Sequence, residues 1–399
     1  MERSQERNGG EGVAGREPGG EGLRLRREIG LWSAVSLMAG CMIGSGVFMS
    51  PQGVLVYMGS PGASLVVWAG CGLLAMMGAL CYAELSALVP KSGGEYAYIL
   101  QIFGSLPAFL VIYTFVLLVR PAAIAAVSLS FAEYAVTPFY PGCSLMPQAV
   151  LKGVAASCIL LLMLVNCWSS RLATMLVNVC AVAKVFSLLV IVVGGAVVLG
   201  QGRGHTETFL LAFHNTTQQA GRIGMAFYQG MWSFDGWNNV NYVVEELKNP
   251  KPQLLSMVHV HRLTPTPALM FTTAVALVLV IPGSFSTIVN FLSFLGWITY
   301  GTTIGCLLYL RIKKKNLPRP YKVPTIIPVI MLLASLYLVL APIIDHPQIE
   351  FLYIFLFLLS GIPVYFLFVY FQCQPRCLQM ATLYLQLLLE VAPTTKNVD

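Results

Sequence analysis

Apolar residues dominate from about residue 29 to residue 371, interrupted only by short polar intervals. Crossing a bilayer takes about 20 mostly apolar residues in a helix. The intervals divide the chain into ten such segments, at about 30–58, 62–89, 103–134, 148–167, 172–199, 222–244, 266–281, 291–310, 324–344 and 351–371. The third is long enough to require a tilted helix. Hydrocarbon cannot satisfy exposed backbone groups, so segments of this length cross it as helices. The pattern therefore predicts an all-α polytopic membrane protein with ten transmembrane helices. Residues 1–25 are polar and rich in Gly, Glu and Arg, without the apolar centre of a cleavable leader, and are expected to form a disordered cytoplasmic tail. The membrane domain is expected over 26–371, followed by a cytoplasmic tail over 372–399. In that tail Leu378–Val391 resumes an apolar pattern suited to a helix on the membrane surface or against the inner mouth of the bundle.

Two segments break the pattern from within. The first contains Gly44-Ser45-Gly46 and then Pro51; the sixth contains Gly230-Met231-Trp232-Ser233-Phe234-Asp235-Gly236-Trp237. Glycine frees the backbone and proline removes an amide donor, so each segment reads as an interrupted helix. First and sixth are the corresponding positions of two five-helix halves related by an inverted repeat. At such a break, amides opening the second half-helix attract an anion, and carbonyls closing the first attract a cation. The ends of an amino acid match that arrangement. Its carboxylate is expected at the amides of Ser45, Gly46 and Val47 with the Ser45 hydroxyl assisting, and its ammonium at carbonyls near Ile43, Ser233 and Phe234. The competing explanation is that Gly44 and Gly46 only permit close helix packing.

Composition and charge narrow the class. The 399 residues are 57% hydrophobic and 10% charged, against about 25% charged in soluble domains, which excludes a soluble globular protein. The formal charge of +7 is concentrated in alternate loops. Arg24, Arg26 and Arg27 precede the first segment, Lys91 follows the second and Arg171 the fourth. Lys248, Lys251 and Arg262 follow the sixth, and Arg311, Lys313, Lys314, Lys315, Arg319 and Lys322 follow the eighth. By the positive-inside rule both termini are cytoplasmic. Most of the ten cysteines lie in apolar runs and form no secreted disulfide framework. The sequence holds no nucleotide loop, metal cluster or hydrolytic triad. His259 and His261 stand in a basic inner loop and read as a solvated face. The expectation is a transporter, not an enzyme, with no cofactor, metal or nucleic-acid partner and with lipid around it.

Charges within the membrane segments are functional candidates. Asp235, at the second break, has two roles open to it: partner of a substrate cation or cap of the following half-helix, and member of an internal ion pair. Lys184, mid-span in AVAKVFSLLV, either replaces a coupling cation beside the unwound backbone or pairs with nearby carbonyls. Arg120, just before Pro121, either selects substrate charge or makes a structural contact. Trp232 is placed to close over a bound side chain, with aromatic packing as the alternative. Cys143 stands apart in a polar outer loop, where a lone thiol is a candidate for an intermolecular disulfide. Asn215-Thr216-Thr217 is an external glycosylation sequon.

The segments REIGLWSAVSLMAGCMIGSGVFMSPQGVL, GALCYAELSALVPKSGGEYAY, FYQGMWSFDGWNNVNYVVEELKNP and LPRPYKVPTIIP resemble the light subunits of the heteromeric amino-acid transporters, within the amino acid–polyamine–organocation superfamily. Nearly everything after residue 25 takes part. The Asp235-Gly236-Trp237 run is similar to the b-zero-plus type, which exchanges cystine, dibasic and neutral amino acids. Leu118–Ala123 instead resembles the cystine/glutamate exchanger, and a branch preferring neutral or aromatic amino acids stays open. The resemblance implies a LeuT-like inverted-repeat fold and sodium-independent exchange by alternating access at the plasma membrane. It implies a substrate-backbone site at Gly44, Ser45 and Gly46, a gate and pocket at Trp232 and Asp235, and Lys184 in place of sodium. It also implies a disulfide from Cys143 to a single-pass heavy-chain glycoprotein.

The chain departs from that family in one respect. Members have twelve spans, and here VVEELKNPKPQ runs directly into LLSMVHVHRLTPTPA, segments that two membrane helices and their loop would separate. The apparent deletion falls near 252–253. Losing two helices keeps inside–outside parity but removes part of the second repeat and of the wall around the site. An internally deleted splice product, transport-incompetent but still able to bind the heavy chain, is thus an alternative to an active exchanger, with intracellular retention as its consequence.

Overall fold

The computed structural model describes residues 40, 42–89, 93–140, 147–201, 211–238, 257–259, 266–314, 319–345, 347, 349–371 and 391–393. These residues form a helical bundle: α1 (Gly46–Met58), α2 (Pro61–Leu88), α3 (Gly94–Phe103), α4 (Ser105–Thr114), α5 (Arg120–Val136), α6 (Gln148–Trp168) and α7 (Ser170–Gly200). The second group is α8 (Ala220–Ser233), α9 (Thr266–Val280), α10 (Phe285–Lys313), α11 (Ile326–Asp345) and α12 (Ile349–Tyr365). Among the described residues seven helices are long and apolar enough to cross a membrane. The first, sixth and seventh expected segments hold shorter regular helices of 13, 14 and 15 residues. In the first and sixth the described helices end at the interrupted stretches, α1 beginning after Gly44-Ser45 and α8 stopping before Phe234. The sixth segment does not run on as a helix to 244: α8 stops at Ser233. The third is continuous only through a π-helical turn, Phe115–Val119, that joins α4 to α5.

Local chemistry sets the ends of these helices. Gly59 closes α1 in the left-handed region at φ +75°, its amide bonding Leu55 O at 2.8 Å, and Pro61 opens α2 where no amide is needed. Residues 211–217 strap this hairpin: Gly62 N donates to Ala212 O (2.8 Å), Thr217 N to Met58 O (3.0 Å), and the Ser60 and Thr216 hydroxyls bond at 2.7 Å. Within the strap the exposed sequon residue Asn215 occupies the left-handed region at φ +62°, which Asn tolerates better than most residues.

Two cores hold the bundle. In one, α1, α2, α8, α10 and α11 pack around Val54, Cys71, Tyr82, Tyr228 and Trp297. In the other, α5, α6 and α9 meet through Ala122, Ala125, Ala126, Ala132, Ala155 and Ala276, small side chains that let helix backbones approach where no aqueous hydrophobic effect drives association. A buried polar network stitches α1, α8 and α10: Gln229 Nε2 donates to Asn290 Oδ1 (2.8 Å) and Ser286 Oγ (3.2 Å), and Asn290 Nδ2 to Tyr57 OH (3.4 Å). By contrast α7 packs mainly along α6 and presents Val, Ile and Leu outward over most of its length, a lipid-facing surface.

Arg311, expected as a solvated loop cation, is instead buried. Its Nη2 pairs with Glu84 and donates to Val323 O (2.7 Å), its Nε bonds Glu84 Oε1 (3.1 Å), and its Nη1 bonds Thr325 Oγ1 (3.2 Å). Val323 N completes the second carboxylate oxygen at 2.8 Å. The end of α2, the end of α10 and the approach to α11 are thus joined by a satisfied ion pair. The expected amphipathic helix Leu378–Val391 lies outside the described residues except at Val391. There the chain is a strand, Val391–Pro393, antiparallel to Met257–His259, so these two segments share one side of the membrane.

Truncating Glu84 to Ala strands the guanidinium in the interior and should destabilise the protein by about 3–5 kcal/mol. Glu84→Ala/Arg311→Met should recover most of that loss, because the uncompensated charge is gone. Thermal unfolding of detergent-solubilised variants measures both.

Candidate functional site at the paired helix breaks

The first break is local in origin. The chain is helical at Met42, bends at Ile43 and Gly44, turns at Ser45 and resumes as α1 at Gly46. The Ser45 carbonyl accepts from the amides of Phe48 (3.2 Å) and Met49 (3.1 Å), so α1 starts with no side-chain cap and with the first-turn amides of Gly46 and Val47 ahead of its ladder. The second break follows from Phe234, at the C-cap of α8, and Gly236, whose φ of +105° suits glycine. Residues 234–238 then form turns in place of helix.

These two breaks touch. A Cβ built on Gly46 would lie 2.7 Å from Ser233 Cα, 2.9 Å from Ser233 N and 2.9 Å from Trp232 Cδ1. No side chain fits between the backbones. Two turns further on, a Cβ at Gly53 would stand 3.0 Å from Gln229 Cγ, and across α8 one at Gly230 would stand 2.7 Å from Cys71 Sγ. Glycine thus serves here both for close packing and for opening the helices; the two explanations describe the same contact. Ser50 Oγ and Ser233 Oγ are buried on this interface without a hydrogen-bond partner among the described residues.

Beside the contact lies a cavity of about 430 Å³, in the size range of small-molecule sites. Trp232, Asp235 and Arg120 all line it, together with Glu95, Trp237, Asn238, Trp297 and Tyr300. Arg120 enters at the end of the π-helical turn, with its guanidinium 4.6 Å from the Phe115 ring centroid, within cation–π range. Such turns insert one residue into the helical ladder and re-aim the side chains beyond it. Trp237 and Tyr300 (5.2 Å between centroids) and Trp297 and Tyr300 (5.8 Å) form an aromatic wall, and Trp232 meets Phe285 edge-on at 6.4 Å. The cavity therefore offers an apolar wall, one fixed cation and two carboxylates.

The other expected site residues fall elsewhere. Gly46 and Ser233 form the break contact, with Ile43, Gly44 and Ser45 in the turn before α1, and none of the five is among the residues lining the cavity. Phe234 turns away and packs on Trp68 at 5.9 Å. Lys184 lies on α7, whose main packing partner is α6, and is not among the residues lining the cavity. Cys143 lies outside the described residues. Glu95, buried and in contact with Tyr82 OH (3.0 Å) and Asn238 Nδ2 (2.8 Å), was not singled out from the sequence. The reasoning applied to Asp235, that charge within the membrane carries a purpose, applies equally to Glu95 and to Glu84.

Interrupted helices thus meet beside a cavity lined by charged and aromatic side chains, within an all-α multi-pass bundle. Residues 29–257 match the family model described as amino acid permease. The b(0,+)-type amino acid transporter 1 of Mus musculus is 36% identical over 465 aligned positions, covering 94% of this chain and 95% of the relative. Its Homo sapiens counterpart is 35% identical over the same length. The large neutral amino acids transporter small subunit 2 of Homo sapiens is 33% identical over 464 positions, covering 92% of this chain and 86% of the relative. The chain belongs to the amino acid permease family, whose members are transporters and not enzymes. The alignment with the mouse relative, at 465 positions, is longer than the 399 residues of the chain, so that relative carries positions with no counterpart here.

Gly46→Ala should drive α1 and α8 apart, since the added methyl meets backbone and not a flexible tip. The expected cost is about 1–3 kcal/mol of stability, with loss of amino-acid binding. Gly153→Ala, where a Cβ meets nothing within 4 Å, is the control and should be neutral in both thermal unfolding and ligand-induced stabilisation.

Proposed function

We propose that this chain is the light subunit of a sodium-independent amino-acid exchanger of the plasma membrane, working by alternating access on neutral and cationic amino acids and cystine. The observation that carries the reading is the contact of Gly46 with Ser233 beside a cavity lined by Arg120, Trp232 and Asp235. The amides of Ser45, Gly46 and Val47 receive the substrate carboxylate, and carbonyls near Ile43, Ser233 and Phe234 receive its ammonium. Those groups recognise the part every amino acid shares. The side chain then enters the cavity, where Asp235 favours a cation, Arg120 an anion, and the aromatic wall an apolar body. Similarity to the b(0,+)-type transporters supports the neutral and cationic range; similarity to the large neutral amino acids transporter subunits supports a neutral or aromatic preference as the variant of this reading.

Proteoliposomes loaded with unlabelled amino acid should accelerate uptake of labelled arginine and leucine, in sodium-free buffer, over empty ones. Asp235→Asn should lower arginine uptake about tenfold more than leucine uptake, the loss of roughly one charge-assisted contact. Absence of acceleration by any of arginine, cystine, leucine or tyrosine, with folded protein present, rejects exchange by this chain.

A second reading is favoured by the relatives' unmatched positions: an isoform that binds a single-pass heavy-chain glycoprotein through Cys143 without completing transport. Co-expressed with the heavy chain and the full-length light chain, it should compete for the covalent heterodimer. Cys143→Ser should remove its own high-mass band on a non-reducing gel, and an unchanged band rejects the Cys143 assignment.

A further inference from the structure

The segment after the second break, residues 234–238, carries Asp235 into the cavity but has little of its own to hold it. Its local backbone bonds are Phe234 N to Met231 O (3.1 Å) and Asp235 N to Trp232 O (3.4 Å), the second at the long end of hydrogen bonding. Gly236 at φ +105° adds freedom to the same turn. The Gly236 amide also bonds the Asp235 carboxyl, and Asn238 bonds the Tyr300 side chain. Across the cavity, Glu95 in the first turn of α3 reaches over to meet the segment. One of its oxygens, Oε1, accepts from both Asn238 Nδ2 (2.8 Å) and Tyr82 OH (3.0 Å). Glu95 is 3% exposed and Asn238 6%, so both bonds are shielded from water. Tyr82 in turn packs edge-on against Trp237 at 4.9 Å between centroids, and Trp237 seats over Gly78, where a Cβ would come within 2.9 Å of its ring. The far end of the segment is therefore fixed through Asn238, which bonds Glu95 and Tyr300, and through Trp237, which packs on Tyr82 and Tyr300.

We propose that Glu95 is a positioning residue for selectivity: by accepting from Asn238 it holds the 234–238 turn so that the Asp235 carboxylate stays in the cavity. A bond to a charged acceptor is stronger than one between neutral groups, and in a water-poor site its loss leaves the amide unsatisfied. Glu95 acts here through Asn238 and Asp235, not by touching the substrate. The proposal rests on the functional reading above for its transport consequence, while the ordering of the turn stands independently of transport.

The experiment uses the full-length chain in detergent and in proteoliposomes, with Glu95→Gln, Glu95→Ala, Asn238→Ala and the double Ala variant. Hydrogen exchange of peptides covering 234–238 reads the turn directly. Glu95→Ala and Asn238→Ala should each speed exchange there about tenfold, and the double variant should add nothing further, as for partners in one interaction. Glu95→Gln keeps an acceptor oxygen and should keep protection close to the parent. The ratio of arginine to leucine uptake should follow the same order, falling about tenfold in the Ala variants and being retained in Glu95→Gln, whatever the absolute rates. Additive effects of the two Ala changes, unchanged exchange in either, or Glu95→Gln behaving as Glu95→Ala would each overturn the proposal. Should Glu95→Ala fail to fold, Asn238→Ala against Glu95→Gln makes the same comparison. A parent chain that takes up neither amino acid refutes the exchanger reading, and the exchange measurement still decides the role of Glu95.

Discussion

The approach of α1 to α8 at Gly46 and Ser233 is the constraint on which the other features of the site depend. Two helices can touch backbone to backbone only where a side chain is missing, and a Cβ at Gly46 would sit 2.7 Å from Ser233 Cα. The same absence of side chains weakens both helices at that level, so the contact and the breaks have one cause. In hydrocarbon an interrupted ladder is tolerated only against protein, water or ligand. Each break covers part of the other.

Around this contact the protein spends its polar groups sparingly and satisfies nearly all of them. Glu84 is matched by Arg311, Val323 N and the Arg311 contacts to Thr325 and Val323, which ties three helix ends together. Gln229 and Asn290 satisfy one another across α8 and α10. Burying charge is worthwhile only when the partners are complete, and the completeness of the Glu84 cluster identifies it as structural. The cavity differs. There Glu95, Arg120 and Asp235 line one open cavity, with Glu95 held at its edge by Tyr82 and Asn238. That contrast, not the mere presence of buried charge, separates scaffold from site.

Much of the architecture was legible because hydrocarbon imposes strong rules. Long apolar runs became helices, and the Gly-rich interruptions in the first and sixth segments became the breaks. Arg120, Trp232 and Asp235, chosen as charges or aromatics in the wrong solvent, do converge on one cavity. Glu95 and Glu84 escaped notice because each sits in a run that otherwise reads as an ordinary helix end, and a linear sequence does not reveal a carboxylate's three-dimensional partners. Arg311 was read as a loop cation for the same reason: the cation count near a helix end is identical whether the guanidinium faces water or Glu84. The π-helical turn before Arg120 has no signature in Phe115–Val119 beyond apolarity, since it arises from packing against the rest of the bundle.

Binding and transport make different demands on this fold. The two breaks and the cavity draw on α1, α3, α5, α8 and α10, and α5 belongs at the same time to the alanine-packed core with α6 and α9. Alternating access needs more, namely a second body against which the site can move. Yet α7 rests mainly on α6, with its apolar faces outward and Lys184 away from the break contact. A fixed cation acts on unwound carbonyls only at short range, since attraction falls with distance and even more steeply once water screens it. The break contact and the cavity are thus held by packed residues of the bundle. An alternating-access cycle would further require contacts that hold α7 against them, and α7 packs mainly along α6.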